Sequence, residues 1–580
     1  MNEVIEICLS YPKLKERLDE RPKDREKAIK NLKEIKADLS LDTISGFGTF
    51  IEYTFAKVYE GINVQVAPGL ELKELIEKNN VILVPNHQSH ADYIGLSYAL
   101  WNKFKIAVHI AGGINLNIFP IGALFRKSGC FFIRRSFNND ILYKLTLESY
   151  IYFLLAKGFP IEFFFEGGRS RTGKLNPPRF GLFQMILETH HKIPNARPLV
   201  FLPVSIVHEV VPEQRSLTKE LRGGKKEKES ASQLLKIFKL FTRKLGTIHL
   251  TLDHPISVPE IEDLKLATQE IAFRCYRQVA KNMLVTPTSL VALILLDEPK
   301  GVITKQDILT KAQSILSYCE HVKVPLSPSL TSKQLEKTVT GALNLLLSNK
   351  KIEFIESDKL SESFFSIRED SRVDLLYFKN TILHHFMLPC FIFSTWIYIF
   401  TGQIKNEFDL KKFYLTQRKQ MKYEFYLPTV KELYRLSLEI ISYCLGRKIE
   451  ELKEVFNLSN QEAYLIAKEV GSFSRSYCYI HEAYYIGALT IRNLGDEEFG
   501  MEKFLQRSKE IFIAERKHGK LVKYPESFSI PLIKNSLTYF ESIKLVEKIQ
   551  GKYTLKNESE VDNLIAVYAN YLSKLLTFNL

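Results

Sequence analysis

Three features of the sequence predict an α/β domain with a largely buried sheet, set between a helical lead-in and a mainly helical region. Between about residues 81 and 257 the chain consists of short apolar runs separated by Gly, Pro and polar turns. Helical periodicities fill the gaps, and beyond residue 260 long helical patterns take over. From Lys15 to Lys36 the chain is dense in Lys, Glu, Arg and Asp with Leu and Ile at helical spacing, which reads as a solvated helical lead-in. Strands are expected over VILVPN (81–86), KIAVHIAGG (105–113), CFFIRR (130–135), IEFFFEGG (161–168), PLVFLPVSIV (198–207) and TIHLTLDHPIS (247–257). Helices are expected over DYIGLSYALWNKF (92–104) and ILYKLTLESYIYFLLAKG (141–158), and strands alternating with helices call for a sheet covered on its faces. Further helices are expected over 267–284 and 427–445, and the run 304–356 reads as paired helices leading to a short strand. The expected division is a helical region over 1–62, the α/β domain over 63–260 and a mainly helical region over 261–580.

At 580 residues the chain exceeds the roughly 250–300 residues at which single cores stop growing, so more than one domain is expected. A net charge of +14 points to an anionic partner: nucleic acid, anionic lipid headgroups or a phosphorylated substrate. No basic stripe with regularly interleaved aromatics and no zinc-finger spacing is present, so nucleic acid is not expected as a partner. The seven cysteines are scattered without a C-x-x-C pair, which suggests a reducing compartment and no metal or redox centre. The N-terminus carries acids early and lacks a continuous apolar stretch, so no secretory signal is expected and the chain is expected inside the cell. FMLPCFIFSTWIYIF (386–400) is shorter than the roughly 18 residues of a membrane span and contains Pro389. It fits a segment resting in the headgroup region and a buried core helix equally well.

The stretch VPNHQSHADYIGLS (84–97) runs from a strand into His87, His90 and Asp92. His87 and Asp92, five apart, do not share a helix face, since five residues turn through about 500°. With the strand ending near Asn86 and a helix starting around His90, Asp92 falls in the first helical turn and reaches back to the imidazole. A carboxylate there fixes the tautomer and leaves the other ring nitrogen as a base. No nucleophile elbow of the G-x-S-x-G kind occurs, so the nucleophile is expected to belong to the substrate. His87, His90 and Asp92 also have donor types that bind metals, but no further well-spaced ligands follow. In GCFFIRRSF, alternation sends Arg134 and Arg135 to opposite faces. FFFEGGRSRTGKLNPPRFG ends another strand with Glu166, Gly167 and Gly168, then Arg169, Arg171, Lys174 and Arg179, a composition suited to phosphate oxygens. Three strand ends thus offer a base, an arginine and a multi-arginine loop, where α/β sheets collect ligands.

Taken in order, NHQSHADY, GCFFIRR, FFEGGRSR and the proline-containing strand LVFLPVSIVHE resemble the motif blocks of the glycerol-3-phosphate acyltransferases of the bacterial membrane-associated type, with their mitochondrial and peroxisomal dihydroxyacetone-phosphate relatives. KELRGGKKEKES and LLYFKNTILHHFMLP extend the resemblance beyond the catalytic region. Phe165, where many lysophosphatidate acyltransferases have Pro, and His90, which they often lack, pull toward the enzymes of the first acylation step. Gly168, in place of the Thr common in eukaryotic members, favours the bacterial type.

The resemblance implies a glycerolipid acyltransferase-like mixed sheet covered by helices, and acyl transfer from acyl-CoA or acyl-carrier protein to the sn-1 hydroxyl of glycerol 3-phosphate. Dihydroxyacetone phosphate is the alternative acceptor. By that resemblance His87 is the base and Asp92 orients it. Arg135, Arg169 and Arg171 hold the phosphate with Lys174 assisting, while Glu166, Gly167 and Ser170 shape the loop or meet the glycerol hydroxyls. No metal and no cofactor are implied. The cationic surface is expected to rest on an anionic membrane, on the cytoplasmic side, with Arg222 to Ser230 as a candidate contact for the acyl donor.

Overall fold

The computed structural model describes residues 2–118, 121–134, 136, 140–221, 244–298, 301–331, 333–357, 362–471, 473 and 475–577. Its packing separates two units. The first comprises Met1–Ser170, Leu175–Glu213 and Glu227–Leu284, and the second Arg171–Lys174, Gln214–Lys226 and Val285–Leu580.

The apolar runs of the first unit form β1 (Gly61–Val66), β2 (Asn80–Pro85), β3 (His109–Gly113), β4 (Cys130–Ile133), β5 (Ile161–Glu162), β6 (Leu199–His208), β7 (Thr247–Leu252) and β8 (Ile256–Ser257). They build one mixed sheet in the order β1-β7-β6-β2-β5-β3-β4, with β8 also on β6. β2 runs parallel to β5 and β6, whereas β6 is antiparallel to β7 and β8. Every residue of β2 and β6 is buried, as their near-continuous hydrophobic runs require of strands covered on both faces. Pro203 sits in this central strand without breaking a ladder. Ile206 N–H faces Asn86 beyond β2, so alternation turns position 203 the other way, between the residues that pair β8 and those that pair β7.

Because β2, β5 and β6 are parallel, their C-terminal ends open on one side of the sheet, the place where α/β sheets gather functional groups. β5 is shorter than the run 161–168 suggested. Phe163 and Phe165 still donate backbone bonds to Leu83 and Pro85, but Gly167 turns the chain at φ +67° and ends the strand. A Cβ at Gly167 would come within 2.9 Å of Arg179 Cγ, so close approach and left-handed backbone both require glycine.

Two expectations change here. The charged lead-in is not merely solvated: Leu18 and Ala28 are buried in one cluster with Leu142 of the helix Ile141–Ala156. β1, whose GINVQV alternates too weakly to stand out, adds a strand beyond β7, and the helix Leu264–Lys281 belongs to the first unit rather than starting the second at residue 261. Ser205 of β6 donates to the Val279 carbonyl of that helix.

Helices dominate the second unit. The helix Pro287–Asp297 is buried from Pro287 to Leu296, and its Thr286 cap and Pro at the first turn explain where it begins. A three-stranded antiparallel sheet pairs Ile352–Ser357 with Glu362–Ile367 and that strand with Val302–Thr304. The stretch 386–400, which by sequence fits a headgroup segment and a core helix equally well, is covered by protein over most of its length. Every residue from Cys390 to Ile397 is buried, Trp396 donates to the Ala463 carbonyl, and Tyr398 stacks on Tyr571. A helix apolar on all sides is what a protein interior selects. Glu369–Phe400 is long and apolar enough to cross a membrane by length and composition, yet 72% of its most apolar window is covered by protein.

Candidate active site

Asn86 prolongs the edge of β2 through its side chain, donating to the Ile206 carbonyl at 2.9 Å and accepting from Ile206 N–H at 2.7 Å. The loop that follows is thereby pinned to β6. His87 N–H donates to Glu166 Oε1 at 2.7 Å and the His87 carbonyl accepts from Ser170 N–H at 2.8 Å, which ties the ends of β2 and β5 together. The helix Ala91–Ala99 then starts with Asp92 in its first turn, where the positive end of the helix dipole favours a carboxylate.

Asp92 is buried and accepts four hydrogen bonds. Oδ2 takes Gln88 N–H (2.6 Å), Ser89 N–H (2.9 Å) and His87 Nδ1 (2.8 Å), and Oδ1 takes His208 Nε2 (2.6 Å). Burial alone would push this carboxyl up. The bonds and charges of His208 and His87 outweigh it and hold the group well below the usual carboxylate range. Nδ1–H of His87 is therefore committed to an anion, and the ring's remaining lone pair lies at Nε2, 3.0 Å from the Tyr93 hydroxyl. Phe164 covers the imidazole with its ring centroid 4.2 Å away.

Both oxygens of Glu166 are engaged, Oε1 by His87 N–H and Oε2 by the backbone and side-chain amides of Asn176. Burial pushes its carboxyl up to about 8 against the pull of these donors. Glu166 thus shapes the loop rather than presenting a free oxygen to a substrate. Arg169 faces Glu213 at 3.5 Å, and the same carboxylate accepts from the Ser89 hydroxyl and His90 N–H, so this guanidinium stands one residue away from the His87 loop. Ser170 is buried and contributes through its backbone. The first unit therefore brings together His87, Asp92, Glu166, Gly167, Arg169 and Ser170.

Arg171 and Lys174 belong to the second unit. Arg171, with 42% of its side chain exposed, pairs with Glu220 at 3.2 Å. Lys174 is buried, and its ammonium pairs with Glu424 and lies over the rings of Phe425 and Tyr479. Arg134 is held by Glu34 at 2.7 Å, whereas Arg135 and the segment 222–230 lie outside the described residues.

A narrow apolar cleft of about 50 Å³ lies in the first unit and shares Tyr93 with this site. Ile94, Trp101, Val108, Leu116 and Phe125 line it, and so does Tyr93, the residue bonded to His87.

Residues 218–549, more than half of the chain, match the family model described as the glycerol-3-phosphate acyltransferase C-terminal region, and residues 68–207 match the acyltransferase model. The chain belongs to the glycerol-3-phosphate acyltransferase family. A glycerol-3-phosphate acyltransferase of Haemophilus ducreyi is 34% identical over 391 residues, covering 64% of this chain and 47% of that protein. One of Pseudomonas syringae pv. tomato is 33% identical over 397 residues, covering 64% and 46%. The chain thus spans about half the length of the curated relatives it matches. Among solved structures, the 1-acyl-sn-glycerophosphate acyltransferase of Thermotoga maritima aligns at 20% identity with a TM-score of 0.26, over 41% of this chain and 79% of that one.

In this member of the glycerol-3-phosphate acyltransferase family, sequence reasoning missed His208. It lies 116 residues from its partner Asp92 and closes an otherwise apolar strand. The available signal was a histidine immediately after the expected strand 198–207, whose place beside β2 only the structure gives. Chemically, a fixed carboxylate, an imidazole oriented by it and a second imidazole holding the carboxylate have the parts of a general base, an outer nitrogen able to accept a proton beside an anion able to stabilise the charge.

Proposed function

We propose that this chain transfers a fatty acyl group from acyl-CoA or acyl-carrier protein to the sn-1 hydroxyl of glycerol 3-phosphate, giving 1-acyl-sn-glycerol 3-phosphate, the first step of phospholipid synthesis. The observation that carries the reading is the buried His87–Asp92 bond at the C-terminal end of β2, with an apolar cleft beginning at the neighbouring Tyr93. His87 Nε2 takes the proton of the acceptor hydroxyl as its oxygen attacks the thioester carbonyl carbon. Asp92 steadies the imidazolium, and on collapse of the tetrahedral intermediate the C–S bond breaks and the proton passes to the leaving thiolate. The cleft receives the acyl chain, whose transfer from water to apolar walls favours binding by about 0.8 kcal/mol per buried CH₂. The first unit is the acyl-transfer unit, with 63–260 as its catalytic core. Arg169 meets the acceptor phosphate, and Arg135 and Arg171 are proposed for the same role from their motifs alone.

The reading extends to location. A net charge of +14 supports a peripheral position on an anionic membrane at its cytoplasmic side, where the amphiphilic product is released. The test supplies purified protein with glycerol 3-phosphate or dihydroxyacetone phosphate, each with acyl-CoA and acyl-carrier-protein thioesters, with and without anionic vesicles. Formation of 1-acyl-glycerol 3-phosphate, raised by vesicles, is expected. Absence of acyl transfer in every arm sinks the proposal.

A further inference from the structure

Tyr93 follows Asp92 directly in the first turn of the helix Ala91–Ala99, so one turn of helix carries both partners of the His87 ring. Asp92 takes Nδ1 at 2.8 Å and the Tyr93 hydroxyl reaches Nε2 at 3.0 Å. With Nδ1–H donated to an anion, the phenol donates to the Nε2 lone pair, the atom from which any base chemistry must start. The phenol is held there by ring packing. Its centroid lies 5.0 Å from the imidazole in an edge arrangement and 4.8 Å from Phe164 at 73°. Its other side belongs to the apolar cleft and to the cluster of Leu116, Cys130 and Phe132.

A base beside a bound thioester faces two nucleophiles, the acceptor alcohol and water. If water donated to Nε2, its oxygen would attack the thioester carbonyl, the C–S bond would break, and the proton taken by the imidazole would pass to the thiolate, leaving a free fatty acid and a free thiol. Nothing in the His87–Asp92 pair itself distinguishes the two. We propose that Tyr93 is a positioning residue that guards the base: its hydroxyl caps Nε2 until the acceptor, anchored by its anionic end, displaces it. Water, without that anchor, competes poorly for the same lone pair, and hydrolysis of the donor is suppressed. The inference rests on the reading of His87 as the base.

The experiment measures, with one acyl-CoA donor, fatty acid released without acceptor and acylated product formed with glycerol 3-phosphate, in the wild type, Tyr93→Phe, Tyr93→Leu, His87→Ala, and His87→Ala combined with Tyr93→Phe. Tyr93→Phe keeps the ring and removes only the capping oxygen. Its ratio of hydrolysis to transfer is expected to rise about tenfold, the factor that one ordinary hydrogen bond is worth. Tyr93→Leu, which also lacks the hydroxyl, is expected to move the same way, and the double variant to lose the added hydrolysis. A ratio unchanged or lowered in both single variants overturns the guard role, as does added hydrolysis that survives removal of His87. Wild-type transfer that persists in His87→Ala alone contradicts the base assignment instead, so the two failures are told apart.

Discussion

Asp92 of the first unit and a set of acids in the second solve the same physical problem in opposite ways. In the second unit, buried Asp374, Glu424 and Glu526 pair with Lys351, Lys174 and Arg372, and the largely covered Asp297 pairs with Lys379. In the first, buried Asp92 faces two imidazoles and two backbone amides. A lysine or arginine partner locks a carboxylate into the fold and leaves no group ready to exchange a proton at neutral pH. Imidazole partners compensate the same charge while remaining able to gain and lose one. The lysine and arginine pairs thus serve the fold, while the imidazoles around Asp92 keep the capacity to exchange a proton.

The largest effect that separates the two is expected at Asp92. Asp92→Asn removes the anion that orients His87 and receives its charge, and kcat is expected to fall by about 10²–10⁴-fold while the far-ultraviolet circular dichroism stays unchanged. In the second unit the loss should be in stability. Lys351→Ala leaves buried Asp374 without its cation, a cost of roughly 3–5 kcal/mol, which thermal melting reads as a lowered Tm. An unchanged Tm would erase the contrast drawn here.

His208→Phe sharpens the comparison within the first unit. It removes one donor of four from Asp92, and kcat is expected to drop about tenfold, less than for Asp92→Asn, because the His87 bond survives. The smallest effect concerns Glu162 of β5, whose buried carboxyl oxygens have no hydrogen-bond partner among the described residues. Burial, with the Asp92 charge adding, pushes it up from 4.5 to about 8. A carboxyl raised on folding contributes stability that is complete below about 4.5 and is lost as pH rises through about 8, the reverse of Asp92, whose contribution disappears only in strong acid. Glu162→Gln should therefore gain in Tm over the wild type as pH rises across that window, with little difference below it. Parallel melting curves at every pH would contradict this.

Much of the fold was legible because its signals are local. VILVPN has the continuous apolar run of a strand covered on both faces, and NHQSHADY places His87, the bend and Asp92 within eight residues. What stayed hidden depends on distant partners. His208 meets Asp92 across 116 residues, and Lys174 meets Glu424, 250 residues on, a pairing that no local pattern announces. The stretch 386–400 was undecidable for another reason. A helix buried among helices and one resting among lipid tails meet the same apolar demand, so only the surrounding Ala463 and Tyr571 distinguish them. The position of Tyr93 on Nε2 was equally beyond sequence reading, since neighbouring residues on a helix point different ways and only the loop geometry brings both to one ring.

The most direct test of the central claim is the rate of acyl transfer to glycerol 3-phosphate by His87→Ala, measured beside the wild type on protein of matched melting behaviour. The account predicts a fall of at least about a hundredfold; turnover at the wild-type rate would contradict it.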